Sequence, residues 1–326
     1  GQVSRHLIGN DAFQEVDIVG ITRSITKYGV TVRNREDLGR ILKEAFYIAR
    51  TGRPGPVLID LPKDVMGELG SAEYPETVNI RGYKPNTSVH IGQLKRAIKM
   101  LSKAKKPLFL AGGGVIISRA NEVFTKLVEK TNIPVVTTVM GRGAIPTNHP
   151  LYIGNLGMHG AYACNMAVSD CDLLFSIGTR FNDRITGKLH SFAPNAQIVH
   201  IDIDTAAISK NVQVDVPIVA DAKEAVTKML EYVTPCETGK WLDTIEDWKA
   251  EHPLKMKKKP IMTPQDVIEA INRIFDEAII VTDVGQHQMF TAQFIEITEK
   301  KKLLMSGGLG TMGYGLGAAI GAKTGC

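Results

Sequence analysis

The sequence predicts an α/β protein built from successive parallel-sheet, three-layer domains, with a complete doubly wound domain at its centre. Three observations carry this. Short apolar segments alternate regularly with helical stretches from about residue 91 to residue 233. The strand segments "KPLFLAGGG", "IPVVTTV", "DLLFSIGTR" and "QIVHIDID" are apolar without polar alternation. That pattern belongs to parallel strands covered by helices on both faces. The same alternation of helix and strand also precedes residue 67 and resumes after residue 262.

Taken in order, "EDLGRILKEAFYIART" carries apolar residues at Leu38, Ile41, Leu42, Ala45, Phe46 and Ile48, a helical stripe. "GRPGPVLIDLPKDV" follows with a Gly/Pro break, a buried strand over Val57–Leu61 and a polar exit. Residues 67–90 are aperiodic and bear Pro and Gly, which reads as a linker. The central run begins with the helix "IGQLKRAIKMLSKA" and ends with "PIVAD" and the helix "AKEAVTKMLEYV". Residues 234–262 are polar and basic, a second linker. Beyond it Thr263 is a helix N-cap with Pro264 at the first helical position. The strands "AIIVTDVG" and "KKLLMSGG" then lead to a glycine-rich helix.

At 326 residues the chain exceeds one domain of about 150 residues. Hydrophobic and charged contents of 44% and 22% are those of a globular protein. No apolar run reaches the roughly 20 residues of a membrane span, and no signal-peptide pattern opens the chain. The net charge of +5 is mild, and the run "KMKKKP" (Lys255 to Pro260) lacks interleaved aromatics. It reads as a solvated linker rather than a nucleic-acid site. Cys164, Cys171, Cys236 and Cys326 show no metal spacing, which implies reduced intracellular thiols. The chain opens on Gly rather than Met and stops within a helix pattern, as expected of a piece of a longer protein.

Several motifs fall at strand ends, where doubly wound sheets bind ligands. "AGGGV" (Ala111 to Val115) suits the approach of peptide N–H groups to a diphosphate, or a tight strand-to-helix turn. "HIDID" (His200 to Asp204) places acids where ribose hydroxyls are gripped, or where Asp204 caps a helix. "GTRFNDR" (Gly178 to Arg184) offers two guanidinium forks for phosphate, or a surface salt-bridge network. "LGMHG" (Leu156 to Gly160) and "GRG" (Gly141 to Gly143) add glycines at further strand ends. "VGQHQM" (Val284 to Met289) sets three polar side chains at a strand-to-helix junction, and these are costly to leave without a partner.

These stretches, with "HLIGNDAFQEVDIVGITRSITKYG" and "SGGLGTMGYGLGAAIGAK", closely resemble the large catalytic subunit of the acetohydroxyacid synthase (biosynthetic acetolactate synthase) family over the whole chain. The resemblance implies domains of the thiamine-diphosphate enzyme type, both end domains truncated. Residues 1–67 then correspond to the C-terminal part of a pyrimidine-binding domain and 68–84 to a linker. Residues 85–235 form the central FAD-associated domain, 236–261 a linker, and 262–326 the N-terminal part of a diphosphate-binding domain. The implied reaction joins two 2-keto acids: pyruvate with pyruvate, giving 2-acetolactate and CO2, or pyruvate with 2-ketobutyrate, giving 2-aceto-2-hydroxybutyrate. Both products feed branched-chain amino acid synthesis.

The resemblance also implies cofactors and residues. Val284, Gly285, Gln286 and His287, with Gly310 and Met312, match the thiamine-diphosphate stretch. The flavin-facing positions are Arg53, Gly113, Thr138, Val139, Leu156, Gly157, Met158, His159, Gly178, Arg180, Asn182, Arg184, Ile185, Asp202, Ile203, Asp221, Ala222, Gln288, Met289, Ser306, Gly307 and Gly308. Phe13, Gln14 and Lys63 match the substrate channel, with Lys63 receiving a 2-keto acid carboxylate. In the family the catalytic Glu lies upstream of Gly1 and the Mg2+ ligands lie downstream of Cys326, so the chain alone is expected to be inactive and to aggregate. Ser4 stands where many relatives carry Pro at the mouth of the sulfonylurea channel, and Asn182 replaces a common Asp. The expected partners are a second copy, as homodimer or tetramer with the active site between subunits, and a small regulatory subunit, in a bacterial cytoplasm; an organelle presequence stays open. Competing readings are a glyoxylate carboligase, a pyruvate oxidase, an oxalyl-CoA decarboxylase, or a non-catalytic cofactor-binding module.

Overall fold

The computed structural model describes residues 2–71, 73–86, 88–257 and 260–326. Gly1 of the opening motif and Lys258 and Lys259 of the basic run lie outside the described residues. The chain divides into two compact units, residues 1–86 and 87–326. Residues 262–326, expected as part of a separate domain, thus share a unit with the central sheet.

The first unit contains α1 (Ile18–Thr22), β1 (Tyr28–Thr31), α2 (Leu38–Arg50), β2 (Val57–Asp60) and α3 (Lys63–Gly67). β1 and β2 pair in parallel from Tyr28↔Val57 to Thr31↔Asp60. α2 buries Ile41, Ala45 and Ile48, spaced on one helical face, while Phe46 of the expected stripe points to solvent. Val32, Ile41 and Val65 form the small core. Residues 68–86 hold no helix or strand among the described residues.

In the second unit the order is α4 (Ile91–Leu101), β3 (Pro107–Ala111), α5 (Gly113–Ile117), α6 (Asn121–Thr131), β4 (Val135–Thr137), β5 (Tyr152–Asn155), α7 (Tyr162–Asp170) and β6 (Leu173–Ile177). Then come α8 (Asp183–Thr186), β7 (Gln197–Asp202), β8 (Val216–Val219), α9 (Ala222–Leu230) and α10 (Gly239–Glu251). The six strands make one parallel sheet in the order β5-β4-β3-β6-β7-β8. The chain runs outward from β3 to one edge, then returns and runs outward from β6 to the other. Strand order therefore reverses between β3 and β6, the topological switch point where such sheets open a ligand crevice.

Both faces are covered. Along β3, Phe109 and Ala111 join a core with residues of α4, α6 and α9, while Leu108 and Leu110 join one with residues of α7 and α10. The expected linker over 236–261 is thus corrected: thirteen of its residues are helix α10. Trp241, Ile245 and Trp248 sit at helical spacing and pack on the second core, and Trp241 Nε1 donates to the Pro107 carbonyl at 3.1 Å. The polar composition of this stretch masks a narrow apolar stripe that closes the sheet's second face.

The remaining elements are α11 (Pro264–Ile274), β9 (Ala278–Val281), α12 (Gln286–Phe294), β10 (Lys301–Leu304) and α13 (Tyr314–Gly325). α11 starts as the sequence predicts. Thr263 caps it and forms a reciprocal box with Asp266, with Pro264 in the first turn. β9 and β10 pair in parallel from Ala278↔Lys301, over a core of Ile268, Ile295 and Ile297. Among the described residues no helix is long and apolar enough to cross a membrane.

Candidate cofactor-binding site

Every sequence-derived flavin position between 113 and 222 lies at or just past the carboxyl end of a strand of the six-stranded sheet. Gly113 opens α5 after β3. Thr138 and Val139 follow β4, and Leu156 to His159 follow β5. Gly178, Arg180, Asn182, Arg184 and Ile185 follow β6. Asp202 closes β7 with Ile203 behind it, and Asp221 and Ala222 follow β8. Parallel topology alone gathers these positions, distant in sequence, along one edge.

At the switch point the two loops touch backbone to backbone. Gly114 N–H donates to the Gly178 carbonyl at 3.0 Å. A Cβ added to Gly112 would lie 2.7 Å from the Gly178 carbonyl carbon, and one on Gly114 would lie 2.6 Å from the Gly178 Cα. Gly112 and Gly114 are therefore required by close approach, and Gly178 also holds φ +64°. The contacts are those of a tight strand-to-helix turn: Gly112 N–H donates to the Ile177 carbonyl at 2.9 Å and Val115 N–H to the Gly112 carbonyl at 3.2 Å.

Further contacts join the set. Met158 N–H donates to the Arg184 carbonyl at 2.9 Å, and Arg184 Nη1 lies 3.8 Å from Met158 Sδ. Asn182 begins α8, and its side-chain Oδ1 is buried without a partner. Asp202 accepts the Asp204 N–H at 2.8 Å, and Asp204 accepts Ala206 N–H at 3.0 Å in a turn rather than at a helix start. Asp221 is the N-cap of α9, accepting Lys223 and Glu224 N–H groups at 2.9 and 3.2 Å. Its local role was readable from the Asp-x-x-Glu spacing.

The third module brings its own residues to this edge. Ser306, Gly307 and Gly308 follow β10, and a Cβ on Gly307 would meet Met140 Sδ at 2.6 Å and Val139 Cγ1 at 3.6 Å. Gln288 in α12 is 3% exposed, and its Nε2 is buried without a partner; Met289 is half-buried beside it. Gln293 Nε2 donates to the His159 carbonyl at 3.0 Å. Among the described residues Asn182 Oδ1 and Gln288 Nε2 share their lack of a partner with Arg142 Nε, Ser176 Oγ, His200 Nδ1 and Thr282 Oγ1.

The positions expected from the sequence for thiamine diphosphate cluster where β9 meets α12. Val284 follows the strand, Gly285 precedes the helix, and Gln286 and His287 form its exposed first turn. No side chain caps this helix start. Gly310 approaches Val284, whose Cγ1 would lie 3.7 Å from an added Cβ. Met312 is exposed on the same turn.

The start of α13 is arranged differently. Asp283 accepts Val284 N–H at 2.7 Å, Gly313 N–H at 3.1 Å and Gly315 N–H at 2.8 Å. These peptide donors, Val284 first, hold its carboxyl below the ordinary carboxylate range. Sequence reading missed Asp283; the available signal was an acid at a strand's carboxyl end directly before "VGQH".

At its other end α12 is pinned to the central sheet. Arg142, 8% exposed, donates through Nη2 to the Ile295 carbonyl and through Nη1 to Tyr152 Oη at 3.3 Å. Burial raises the Tyr152 hydroxyl pKa, partly opposed by the Arg142 charge. A cavity of about 380 Å³ opens beside β5, lined among others by Tyr152, Asn155, Lys249, His252 and Phe294. It contains none of the residues expected to hold a cofactor.

In the first unit Phe13 is 87% exposed, and Gln14 holds φ +61° in the same loop. Lys63 opens α3 with its side chain exposed, and its N–H donates to the Gln2 carbonyl at 3.0 Å. No hydrogen bond or ion pair joins these three side chains among the described residues. Arg53 is exposed in the turn before β2. Ser4 is the N-cap residue of a short 3-10 turn, Arg5–Leu7. Arg5 in that turn pairs with Asp64 at 2.8 Å and with Glu68.

Two stretches of the chain match known family models. Residues 94–229 match the family model described as thiamine pyrophosphate enzyme, central domain. Residues 283–326 match thiamine pyrophosphate enzyme, C-terminal TPP binding domain. The chain is 46% identical over 331 residues to the acetolactate synthase large subunit of Buchnera aphidicola, covering 99% of this chain and 58% of the relative. It is 44% identical over 334 residues to the acetolactate synthase isozyme 3 large subunit of Escherichia coli, again 99% and 58%. A probable acetolactate synthase large subunit of Methanocaldococcus jannaschii is 47% identical over 337 residues, 99% and 57%. The chain therefore spans 57% to 58% of the length of these relatives.

Proposed function

Because this chain belongs to the thiamine pyrophosphate enzymes, as a homologue of acetolactate synthase large subunits along 99% of its length, we propose that the whole protein joins two 2-keto acids. The reaction is two pyruvates to 2-acetolactate and CO2, or pyruvate with 2-ketobutyrate to 2-aceto-2-hydroxybutyrate. The observation that carries the reading is the contrast between two helix starts. The α12 N-terminus has no side-chain cap and presents Gln286 and His287 to solvent, whereas Asp283 already fills the start of α13. An uncapped helix start with outward N–H groups favours a diphosphate.

Thiamine diphosphate, when bound, supplies the electron sink for decarboxylation of the first 2-keto acid. This chain's residues then bind and orient. Gln286 and His287 offer backbone and side-chain donors to the diphosphate, and Val284 with Gly310 shapes the turn beside it. Met312 and Leu309, both exposed, give the heterocycle an apolar contact. FAD fits the strand-end edge: the Gly112–Gly114 and Gly178 backbones line it, and the orphaned Asn182 and Gln288 amides supply polar partners there. Lys63 carries the cation that receives a substrate carboxylate.

Mg2+ is not accommodated by these residues. No group of three His, Cys, Asp or Glu gathers among the described residues, and Asp283 accepts three peptide N–H groups. The expected partners are a second large subunit and a small regulatory subunit.

The test is acetolactate formation from pyruvate by the full-length protein, with and without thiamine diphosphate, Mg2+ and FAD. Activity requiring all three supports the reading. Activity without FAD removes the flavin assignments, and CO2 release with a different product moves the protein to a sister enzyme.

A further inference from the structure

Asp283 matched no cofactor or substrate position in the sequence, yet it links distant parts of the third module. Its carboxylate gathers N–H groups from Val284, at the strand exit, and from Gly313 and Gly315, which lie 30 and 32 residues further on. Gly313 holds φ +91°, which lets the turn deliver its N–H to the carboxylate. Gly315 passes so close that an added Cβ would lie 3.0 Å from the Asp283 amide nitrogen and 3.1 Å from its Cβ. The rest of the turn is tied locally: Gly310 N–H donates to the Ser306 carbonyl at 3.1 Å and Thr311 N–H to Ser306 Oγ at 3.0 Å. Among the described residues, Asp283 is thus the side chain that fastens the start of α13 to the end of β9.

This fastening fixes two elements that flank the proposed diphosphate position. On one side are Val284 to His287, continuous with Asp283. On the other is the turn carrying Gly310 and Met312. The carboxylate also places a negative charge at the start of α13, a favourable location for it. That helix start is then closed to a second anion, and the uncapped start of α12 is left open.

We infer that Asp283 is a positioning residue: it preorganises the 306–315 turn against Val284 before the cofactor binds, and it directs the diphosphate to α12 rather than to α13. This rests on the thiamine-diphosphate reading above and adds to it a residue and a division of labour between two helix starts.

The test uses the full-length protein, Asp283→Asn and Asp283→Ala. Cofactor-free samples are first examined by hydrogen exchange with mass spectrometry on peptides covering 306–316. Thiamine diphosphate affinity is then measured by calorimetry at fixed Mg2+. A hydrogen bond to a charged group contributes about 1.5–3 kcal/mol, which is roughly a 10- to 100-fold change in an equilibrium constant. The Gly313 and Gly315 amides are expected to be protected in the wild type and to exchange roughly 10- to 100-fold faster in Asp283→Ala. The cofactor dissociation constant is expected to rise about 10-fold or more, with kcat at saturating cofactor falling by less than the affinity. Asp283→Asn, which keeps one acceptor oxygen, is expected to recover part of the loss. Unprotected amides in the wild type, or equal cofactor affinity in all three proteins, overturn the inference while leaving the cofactor reading intact. A wild type that binds no thiamine diphosphate at all overturns both, and this result is separable because it appears before any substitution is made.

Discussion

Asn155 Nδ2 donates to the Ala292 carbonyl at 2.7 Å, joining the end of β5 to the last turns of α12. Its Oδ1 in turn accepts the Thr137 hydroxyl at 3.1 Å, within a buried polar cluster that includes Tyr152 and Arg142. The proposed cofactor helix is therefore held at its carboxyl end by the central sheet, while its amino end stays open. Replacing Asn155 with Leu leaves the Ala292 carbonyl and the Thr137 hydroxyl, both on buried residues, short of partners. The expected cost is about 1–3 kcal/mol, read as a lower midpoint in urea unfolding of the full-length protein. An unchanged midpoint would show that the clamp does not contribute.

Two glycine substitutions should have opposite signs. Gly112→Ala drives a methyl into the Gly178 backbone, with the carbonyl carbon at 2.7 Å, and neither strand end can retreat without disturbing the sheet. We expect destabilisation of more than about 2 kcal/mol, as overpacking typically costs 1–3 kcal/mol, together with loss of retained flavin absorbance after desalting. Gly239→Ala, at the first position of α10 with nothing within 4 Å, should stabilise by about 0.4–1 kcal/mol. Paired thermal melts of the two variants check both.

Removing the His287 side chain, exposed in the uncapped first turn of α12, should weaken thiamine diphosphate binding about 10-fold or more, the loss of one charge-assisted hydrogen bond. Calorimetry on His287→Ala with flavin occupancy as the control decides it. A loss confined to flavin would reassign the residue.

The buried thiols set an alkaline limit. Burial pushes Cys164 and Cys171 up to about 12 from an ordinary 9.0. A thiol whose pKa is higher in the folded state contributes stability that is fully present below the unfolded value. That stability is lost as pH rises from about 9 through about 12, because the unfolded chain ionises first. Unfolding midpoints should therefore fall with rising pH in that window, and less so in Cys164→Ala/Cys171→Ala. At pH 8 a thiol reagent should leave the buried Cys164 and Cys171 unreacted in the native protein.

Legibility in the sequence followed physical locality. α2 and α11 were readable because their signals are contained within a few turns: Ile41, Ala45 and Ile48 on one face, and Thr263, Pro264 and Asp266 at a cap. The strands of the central sheet were readable because burial on both faces leaves continuous apolar runs. β1 and β5 escaped notice because they are short, carry Gly29 and Gly154, and lie at sheet positions where burial is partial. α10 escaped because only one face of it touches the sheet. In the site, strand-end position could be read from topology for Gly113, Gly178 and Asp202. Partners separated by long stretches of chain could not be read: Asp283 with Gly313, Asn155 with Ala292, and Arg142 with Ile295.

Those last separations have a consequence for synthesis on the ribosome. Thr147 and Ile297 exchange hydrogen bonds at 2.9 Å in each direction, across 150 residues. The strands β3 to β8 and helices α4 to α10 are complete at residue 251, before the first residue of α12 is made. At roughly 5–20 residues per second, the chain between Thr147 and Ile297 takes about 8–30 s to appear. During that interval the buried Asn155, Thr137 and Arg142 groups face water with no helix against them, and nearby apolar surface is open to other chains. Slower translation lengthens that exposure, so yield during expression should depend on how quickly residues 286–297 follow the central sheet.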